Sequence, residues 1–176
     1  MFKQKFSARS LTLAGAVVMG LATSSGTNAG TATANLSVTA TVSANCIIST
    51  APVAFGAYDP VFTNHTTALA GQGTVSVTCT SGASTKVTLG EGLHATGGST
   101  AAVPARQMND GGTHNLTYSL YSDNLLTTVW GNTAGTGVAH TGTGLNADLT
   151  VYGSVDAGQN VPSGNYADTV VATVTF

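Results

Sequence analysis

Two cysteines, Cys46 and Cys79, are the residues of this 176-residue chain whose chemistry is easiest to anticipate. They follow an N-terminal segment with the layout of an export signal, and an isolated pair in an exported protein is most simply a disulfide. A disulfide that closes the loop between Cys46 and Cys79 would stabilise the fold by roughly 3–4 kcal/mol in the chain-entropy model. There is no CxxC motif, and no histidine lies next to either cysteine to activate it. The pair therefore predicts a structural bond.

The other titratable residues do not form a recognisable catalytic or metal-binding pattern. The four histidines are at least twenty residues apart in the sequence, and they are His65, His94, His114 and His140. The seven acidic residues fall mostly in turn-like sequence, where Asp bonds to nearby backbone. GxSxG, GxGxxG and P-loop motifs are missing from the sequence. We expect no cofactor and no metal, and an enzyme is the least favoured class of function.

Residues 1–29 are predicted to be a secretory signal peptide. Three basic residues precede an apolar run, Leu11–Ala22, that is too short to span a bilayer. The small residues Thr27-Asn28-Ala29 follow, and we expect cleavage after Ala29. No other segment of the sequence is apolar enough to span a membrane.

The remaining chain is poor in charge and acidic. Its only Lys and Arg residues are Lys86 and Arg106, against seven acidic residues. Two cations cannot form a phosphate-binding surface, so nucleic acid is not an expected partner. An anionic membrane surface is excluded on the same ground.

The segment Thr31–Val42 alternates strictly between apolar and small polar residues. This period of two is the pattern of a strand with one dry and one wet face. The segment has no charge and no proline, and it lies between the signal and the first cysteine. Its apolar residues are Ala32, Ala34, Leu36, Val38, Ala40 and Val42.

Short extended segments separated by glycine-rich turns continue to the C-terminus, and none after the signal has helical periodicity. Many short strands of this kind predict an all-β sandwich or barrel. The expected strands are 46–48, 73–79, 85–89, 106–108, 116–121, 149–155 and 166–176, with further candidates at 127–130 and 138–140.

The last expected strand has one apolar face, made of Val170, Ala172, Val174 and Phe176. An immunoglobulin-like sandwich would need one more strand beside it, and the sequence ends at Phe176. The chain thus carries an extra strand at its N-terminus and lacks one at its C-terminus.

Five segments, in this order, resemble the spore coat protein U family, which includes subunits of archaic (Csu-type) chaperone–usher pili. A cysteine soon after the N-terminal extension and a second at the end of an early strand complete the resemblance. The segments are Leu116–Asp123 (LTYSLYSD), Val129–Gly131 (VWG), Leu149–Gly153 (LTVYG), Val161–Val170 (VPSGNYADTV) and Val174–Phe176 (VTF).

The resemblance implies a six-stranded, incomplete immunoglobulin-like β-sandwich that is completed by donor-strand exchange. Residues 45–176 would be the pilin domain, with Val170, Ala172, Val174 and Phe176 in the wall of its acceptor groove. Residues 30–44 would be the N-terminal extension, whose alternating apolar side chains fill the groove of another subunit. The implied partners are a periplasmic chaperone, an outer-membrane usher and further pilin subunits, in a homo- or heteropolymer at the cell surface that supports adhesion or biofilm formation.

Two alternatives stay open from the sequence. The extension could fold back onto its own domain, which would leave a self-complemented monomer. The chain could also be a monomeric secreted or spore-coat protein that binds carbohydrate, with Trp130 and the tyrosines as the binding platform. Core packing is the favoured reading for Tyr118 and Tyr152, because both lie in strand patterns.

Overall fold

The computed structural model describes Gly26 and residues 29–176, so the predicted signal peptide lies almost entirely outside the described residues. The chain divides into two units, residues 1–40 and 41–176, and the second contains every strand found among the described residues. Among the described residues, none belongs to a helix that could cross a membrane.

The described part of the N-terminal extension has no regular secondary structure, so the strand expected at Thr31–Val42 is not formed in this chain. The side chains of Leu36, Val38 and Val42 are 87%, 84% and 83% exposed. A strand is stable only when a neighbour accepts and donates its backbone hydrogen bonds. The segment Thr31–Val42 therefore has the alternating sequence of a strand but no partner strand to pair with among the described residues.

Eight strands make up the second unit. They are β1 (Cys46–Ala54), β2 (Leu69–Cys79), β3 (Ser84–Leu89), β4 (Arg106–Asn109), β5 (Asn115–Tyr121), β6 (Val138–Thr141), β7 (Asn146–Val155) and β8 (Ala172–Thr175). One sheet has the order β1-β2-β7-β5-β4 and the other has the order β6-β3-β8, with every pair antiparallel. The expected all-β class is confirmed, but the described residues form eight strands and not the six that the resemblance implies.

Alternating side chains on the inner faces of the two sheets form the core. On β2, β5 and β7 every second residue points inward, which is the arrangement that the sequence pattern predicts. Removing one such aliphatic side chain from water stabilises the fold by roughly 1.5–3 kcal/mol. The buried core residues are Val75, Val77, Val87, Leu89, Leu116, Tyr118, Leu120, Trp130, Val151 and Val155.

The prediction of one long final strand over Tyr166–Phe176 is wrong, because only Ala172–Thr175 is a strand. Inward and outward side chains still alternate from Tyr166 to Val174. The backbone, however, changes neighbour along the way: Ala167 bridges to Asn109 on β4, and β8 pairs with β3. The segment thus passes from one sheet to the other. We call residues 161–176 the terminal segment.

The expected strand at 127–130 is also absent, and a single bridge joins Val129 to Tyr121 there. A carboxylate at the start of this turn explains the difference. Oxygens of Asp123 accept hydrogen bonds from the backbone N–H groups of Thr127 and Thr128. These bonds hold the backbone in a compact turn, which leaves too few free groups for a ladder.

Candidate functional site: a groove between strand β1 and the terminal segment

Strand β1 lies at the edge of the five-stranded sheet and is clipped to β2 at its first residue. Cys46 stands opposite Cys79 in the register, and their sulfur atoms form the disulfide that the sequence predicts. Asn45 is held in addition by Thr80: its carbonyl accepts a 2.9 Å bond from the Thr80 backbone N–H, and its own N–H donates a 3.0 Å bond to the Thr80 hydroxyl. The chain therefore leaves the sandwich at a fixed point, which we call the extension end.

The other end of β1 bends inward over the sheet. The register shifts between Ala51 and Ala54, so Val53 and Phe55 turn toward the inner faces of β2 and β7. Glycines make the room for them. A Cβ atom on Gly153 would lie 2.7 Å from the ring of Phe55, and one on Gly73 would lie 2.7 Å from Cγ2 of Val53.

A cavity of about 480 Å³ opens between β1 and the terminal segment. One wall is the stretch Thr50–Val53 of β1, and the opposite wall includes Val170 and Ala172. The floor consists of inward side chains of both sheets, including Val75 and Leu89. The inside of the sandwich is thus accessible along one side.

A second cavity of about 640 Å³ continues the first toward the opposite end of the molecule. It lies between the chain that follows β1, Ala54–Tyr58, and the stretch Val161–Tyr166. The two cavities share four lining residues, which are Val53, Phe55, Met108 and Tyr166. Together they form one groove, in which β1 and the terminal segment run in opposite directions.

The groove has the position of a missing strand, but it is narrower than a paired strand requires. β1 is paired only with β2 and β8 only with β3 among the described strands, so each has a free edge. Cα atoms of β1 and β8 approach within 8 Å. A strand between them would need about 9.6 Å, twice the usual spacing. An inserted strand must therefore push the two edges apart by at least about 1.6 Å where they approach this closely.

A buried carboxylate fixes the terminal segment along this wall. The Asp168 side chain is 2% exposed and accepts hydrogen bonds from the Tyr118 hydroxyl at 2.7 Å and the Leu93 backbone N–H at 2.9 Å. The ring of His94 lies 3.3 Å from the same carboxylate. Burial, reinforced by this carboxylate, raises the pKa of Tyr118 well above its usual value. The phenol therefore stays protonated and donates the bond.

Arg106, which the sequence offered only as one of two cations, holds the two sheets together beside the groove. Its side chain is fully buried, and its Nε and Nη2 atoms donate hydrogen bonds of 2.7–3.0 Å to the carbonyls of Leu89, Gly90 and Trp130. Burial lowers the pKa of this guanidinium. Gly90 in turn donates its backbone N–H to the carbonyl of Val171, immediately before β8.

Trp130 cannot serve as an exposed sugar-binding platform, so that reading of the sequence is wrong. Its side chain is fully buried and its indole N–H donates a 2.9 Å hydrogen bond to the carbonyl of Val87. Tyr118 is also buried, as expected for a core residue. Within residues 29–176 as described, His, Cys, Asp and Glu side chains form no group of three that could hold a metal ion.

The four terminal residues named from sequence occupy different positions. Val170 and Ala172 line the first cavity, and Val174 packs against the core next to it. Phe176 is 54% exposed and lines neither cavity. Sequence reasoning missed the opposite wall on β1. The signal available for it was the alternation of Val53 and Phe55 together with glycines at Gly73 and Gly153.

This arrangement defines a class: an immunoglobulin-like, disulfide-clipped β-sandwich with one strand position open along its side. The chain belongs to the Spore Coat Protein U domain family, whose profile matches residues 32–173. It is 49% identical over 155 residues to "Protein U" of Myxococcus xanthus, a match that covers 84% of this chain and 87% of that protein.

The fold is similar to that of a solved pilus protein. The match is to a chain in the crystal structure of the CsuC–CsuE chaperone–tip adhesion subunit pre-assembly complex, from the archaic chaperone–usher Csu pili of Acinetobacter baumannii. The TM-score is 0.56 at 18% sequence identity, over 77% of this chain and 41% of the solved one. This chain therefore spans about two fifths of the length of that relative.

Proposed function

We propose that this protein is a structural subunit of an archaic chaperone–usher pilus that polymerises by donor-strand complementation. In this proposal the domain of residues 45–176 receives the extension, residues 30–44, of another subunit. The chain is exported to the periplasm after loss of residues 1–29, kept by a chaperone, and assembled at an outer-membrane usher into a surface fibre. Such a fibre would support adhesion or biofilm formation.

The observation that carries the proposal is the open groove in a chain that also has an unpaired, alternating segment. The groove lies over core side chains of the sandwich, along the free edges of β1 and β8. Leu36, Val38 and Val42 are each more than four-fifths exposed, although their spacing is that of a strand with one buried face. The extension has apolar side chains that lack a partner, and the groove is an apolar site with free backbone edges that could pair with a strand.

The groove also constrains the direction of an inserted strand. The extension of the receiving subunit leaves at its extension end, where Asn45 and Cys46 are fixed. The body of the donor subunit must therefore sit at the opposite end if the fibre is to grow linearly. The inserted strand then runs parallel to β1 and antiparallel to the terminal segment, with Val42 in the second cavity and Leu36 and Val38 in the first.

The energetics suit assembly. Burying Leu36 and Val38 contributes roughly 1.5–3 kcal/mol each, and each new backbone hydrogen bond adds about 1 kcal/mol or less. From Ala32 to Val42 the extended chain spans about 35 Å, long enough for a strand that fills both cavities. The alanines at three of the six inward positions, Ala32, Ala34 and Ala40, need only shallow pockets, which lets the strand slide during exchange.

The experiment is co-expression with a chaperone and usher pair, followed by SDS gels of unheated and heated surface fractions. Donor-strand fibres give an SDS-resistant ladder that collapses on heating. The variant Leu36→Asn with Val38→Asn places amides in the groove and is expected to abolish the ladder while leaving a chaperone-bound subunit. The matched control, Ser37→Asn with Thr39→Asn, changes the outward face of the same segment and is expected to keep the ladder.

Equal ladders from both variants, or a ladder that survives deletion of residues 31–42, would contradict the donor role. A monomer in all conditions, with the extension protected from proteolysis in its own chain, would instead favour self-complementation. A carbohydrate-binding monomer has less support, since Trp130 is buried in the core.

A further inference from the structure

The end of the sandwich opposite the extension carries a rigid loop with two exposed apolar side chains. Val61 and Phe62 are 84% and 83% exposed. Oδ1 of Asp59 accepts hydrogen bonds of 3.0 Å from the backbone N–H groups of both residues, and these bonds lower the pKa of that carboxyl. The backbone that carries both side chains is therefore held in place. We call residues 59–64 the apolar loop.

The base of this loop is tied to the body of the domain by Asn64, which is 3% exposed. Its side-chain oxygen accepts a 2.9 Å bond from the N–H of Asp59, and its amide donates a 2.9 Å bond to the carbonyl of Thr67. Its backbone carbonyl accepts a 2.8 Å bond from Gly158, just after β7. A loop held by this many bonds around two solvent-exposed apolar residues is a feature of a contact surface.

The extension end has exposed apolar side chains of its own. Ile47 on β1 is 67% exposed, and Leu145, just before β7, is 72% exposed. Thr78 on β2 stands opposite Ile47 on one side and opposite Asn146 on the other, so Ile47 and Leu145 lie at the same end of the sheet.

The chain between the extension and the domain is too short to let two subunits separate. Asn45 is bonded to Thr80, and only Ser43 and Ala44 lie between it and Val42. If Val42 occupies the second cavity of an acceptor, the donor's first fixed residue is within about 10 Å of that cavity. Pro60, a residue of the apolar loop, lines the same cavity. The extension end of the donor subunit therefore faces the apolar loop of the acceptor subunit.

We propose that the apolar loop of one subunit packs against the Ile47 and Leu145 end of the next copy in the fibre. This contact rests on the proposed function and adds a second, head-to-tail surface to the inserted strand. It is heterologous, because a different patch of each copy takes part, so it can repeat along a filament. Its chemistry is apolar on both sides, with no charge pair between them.

The test is cross-linking within assembled fibres of the full chain. Phe62→Cys combined with Leu145→Cys places one thiol at each end, and a short bis-maleimide is added to purified fibres. We expect multimers that survive heating in SDS and require both substitutions. Phe62→Cys combined with Val103→Cys is the matched control, because Val103 is 64% exposed in the loop between β3 and β4. It is expected to give no heat-stable multimers.

The outcomes separate this contact from donor-strand exchange. An SDS-resistant ladder in unheated samples, with no heat-stable multimers from the Phe62 and Leu145 pair, would overturn the contact and leave the proposed function intact. Loss of the unheated ladder for wild-type chains would count against the proposed function itself. A second measurement uses Val61→Ser with Phe62→Ser: the ladder is expected to persist, while the persistence length of the fibres in electron micrographs falls at least twofold. Unchanged stiffness would also count against the contact.

Discussion

The hydroxyl of Tyr118 donates a 2.7 Å hydrogen bond to Oδ2 of Asp168, which joins strand β5 of the five-stranded sheet to the terminal segment. Tyr118 is a core residue on β5, and Asp168 lies fifty residues later in the groove wall. A carboxylate that is 2% exposed is stable only where donors surround it. This bond therefore helps to set where the terminal segment lies and how wide the groove is.

Replacing Tyr118 by Phe is expected to lower the free energy of unfolding by about 1.5–3 kcal/mol, the range for hydrogen bonds to charged groups. The ring would still fill the core, so the loss reports the missing hydroxyl. Urea denaturation followed by tyrosine and tryptophan fluorescence measures it. Tyr152→Phe is the control, because its hydroxyl has no partner within the described residues, and it should change stability by less than about 0.5 kcal/mol. Equal losses in the two variants would argue against the bond.

Tyr118 also predicts how stability depends on alkaline pH. Its pKa is raised in the folded protein, by burial first and then by the hydrogen bond to Asp168. The unfolded chain therefore releases this proton near pH 10 while the folded chain keeps it. Stability is complete below pH 10 and is lost above it, by up to about 1.4 kcal/mol per pH unit for one proton. Denaturation curves between pH 8 and 11 should show the fall, and Tyr118→Phe should reduce its slope.

The sequence predicted the sandwich because its strands alternate and because glycine-rich turns separate them. It also identified Cys46 and Cys79 correctly, since export and an isolated pair leave one simple interpretation. It did not predict that Tyr166–Val171 lacks regular pairing, because alternation reports which face is buried and not which strand is the neighbour. The buried roles of Arg106 and Asp168 were missed for a related reason: partners sixteen to seventy-five residues away appear only once the chain is folded.

The disulfide is expected to stabilise one wall of the groove as well as the whole domain. Cys46→Ser with Cys79→Ser should lower the free energy of unfolding by about 3–4 kcal/mol, from the loop-closure entropy of the unfolded chain. β1 is an edge strand with one neighbour, so it should fray first. Hydrogen exchange of amides in Ile48–Ala51 checks this, with amides in β5 as the internal control. If the exchange rates of the β5 amides rise as much as those of the β1 amides, relative to the parent protein, the loss of stability is global and not confined to the wall.

Gly153→Ala is expected to deform the groove from its floor. A Cβ at this position would lie 2.7 Å from two ring atoms of Phe55 and 2.8 Å from Cγ1 of Val53, closer than side-chain carbons approach. Both side chains line both cavities, so relieving the clash must move β1 outward or turn the Phe55 ring into the groove. Overpacking of this kind costs about 1–3 kcal/mol of stability.

The measurement uses a fluorescent peptide of residues 30–44 and the Gly153→Ala domain from which residues 30–44 have been deleted. The peptide should bind this variant at least tenfold more weakly than it binds the parent domain with the same deletion. Gly97→Ala is the matched control, because nothing lies within 4 Å of its added Cβ, and it should leave both stability and peptide binding unchanged. Unaltered peptide binding by a destabilised Gly153→Ala domain would show that Val53 and Phe55 do not shape the site that receives the strand.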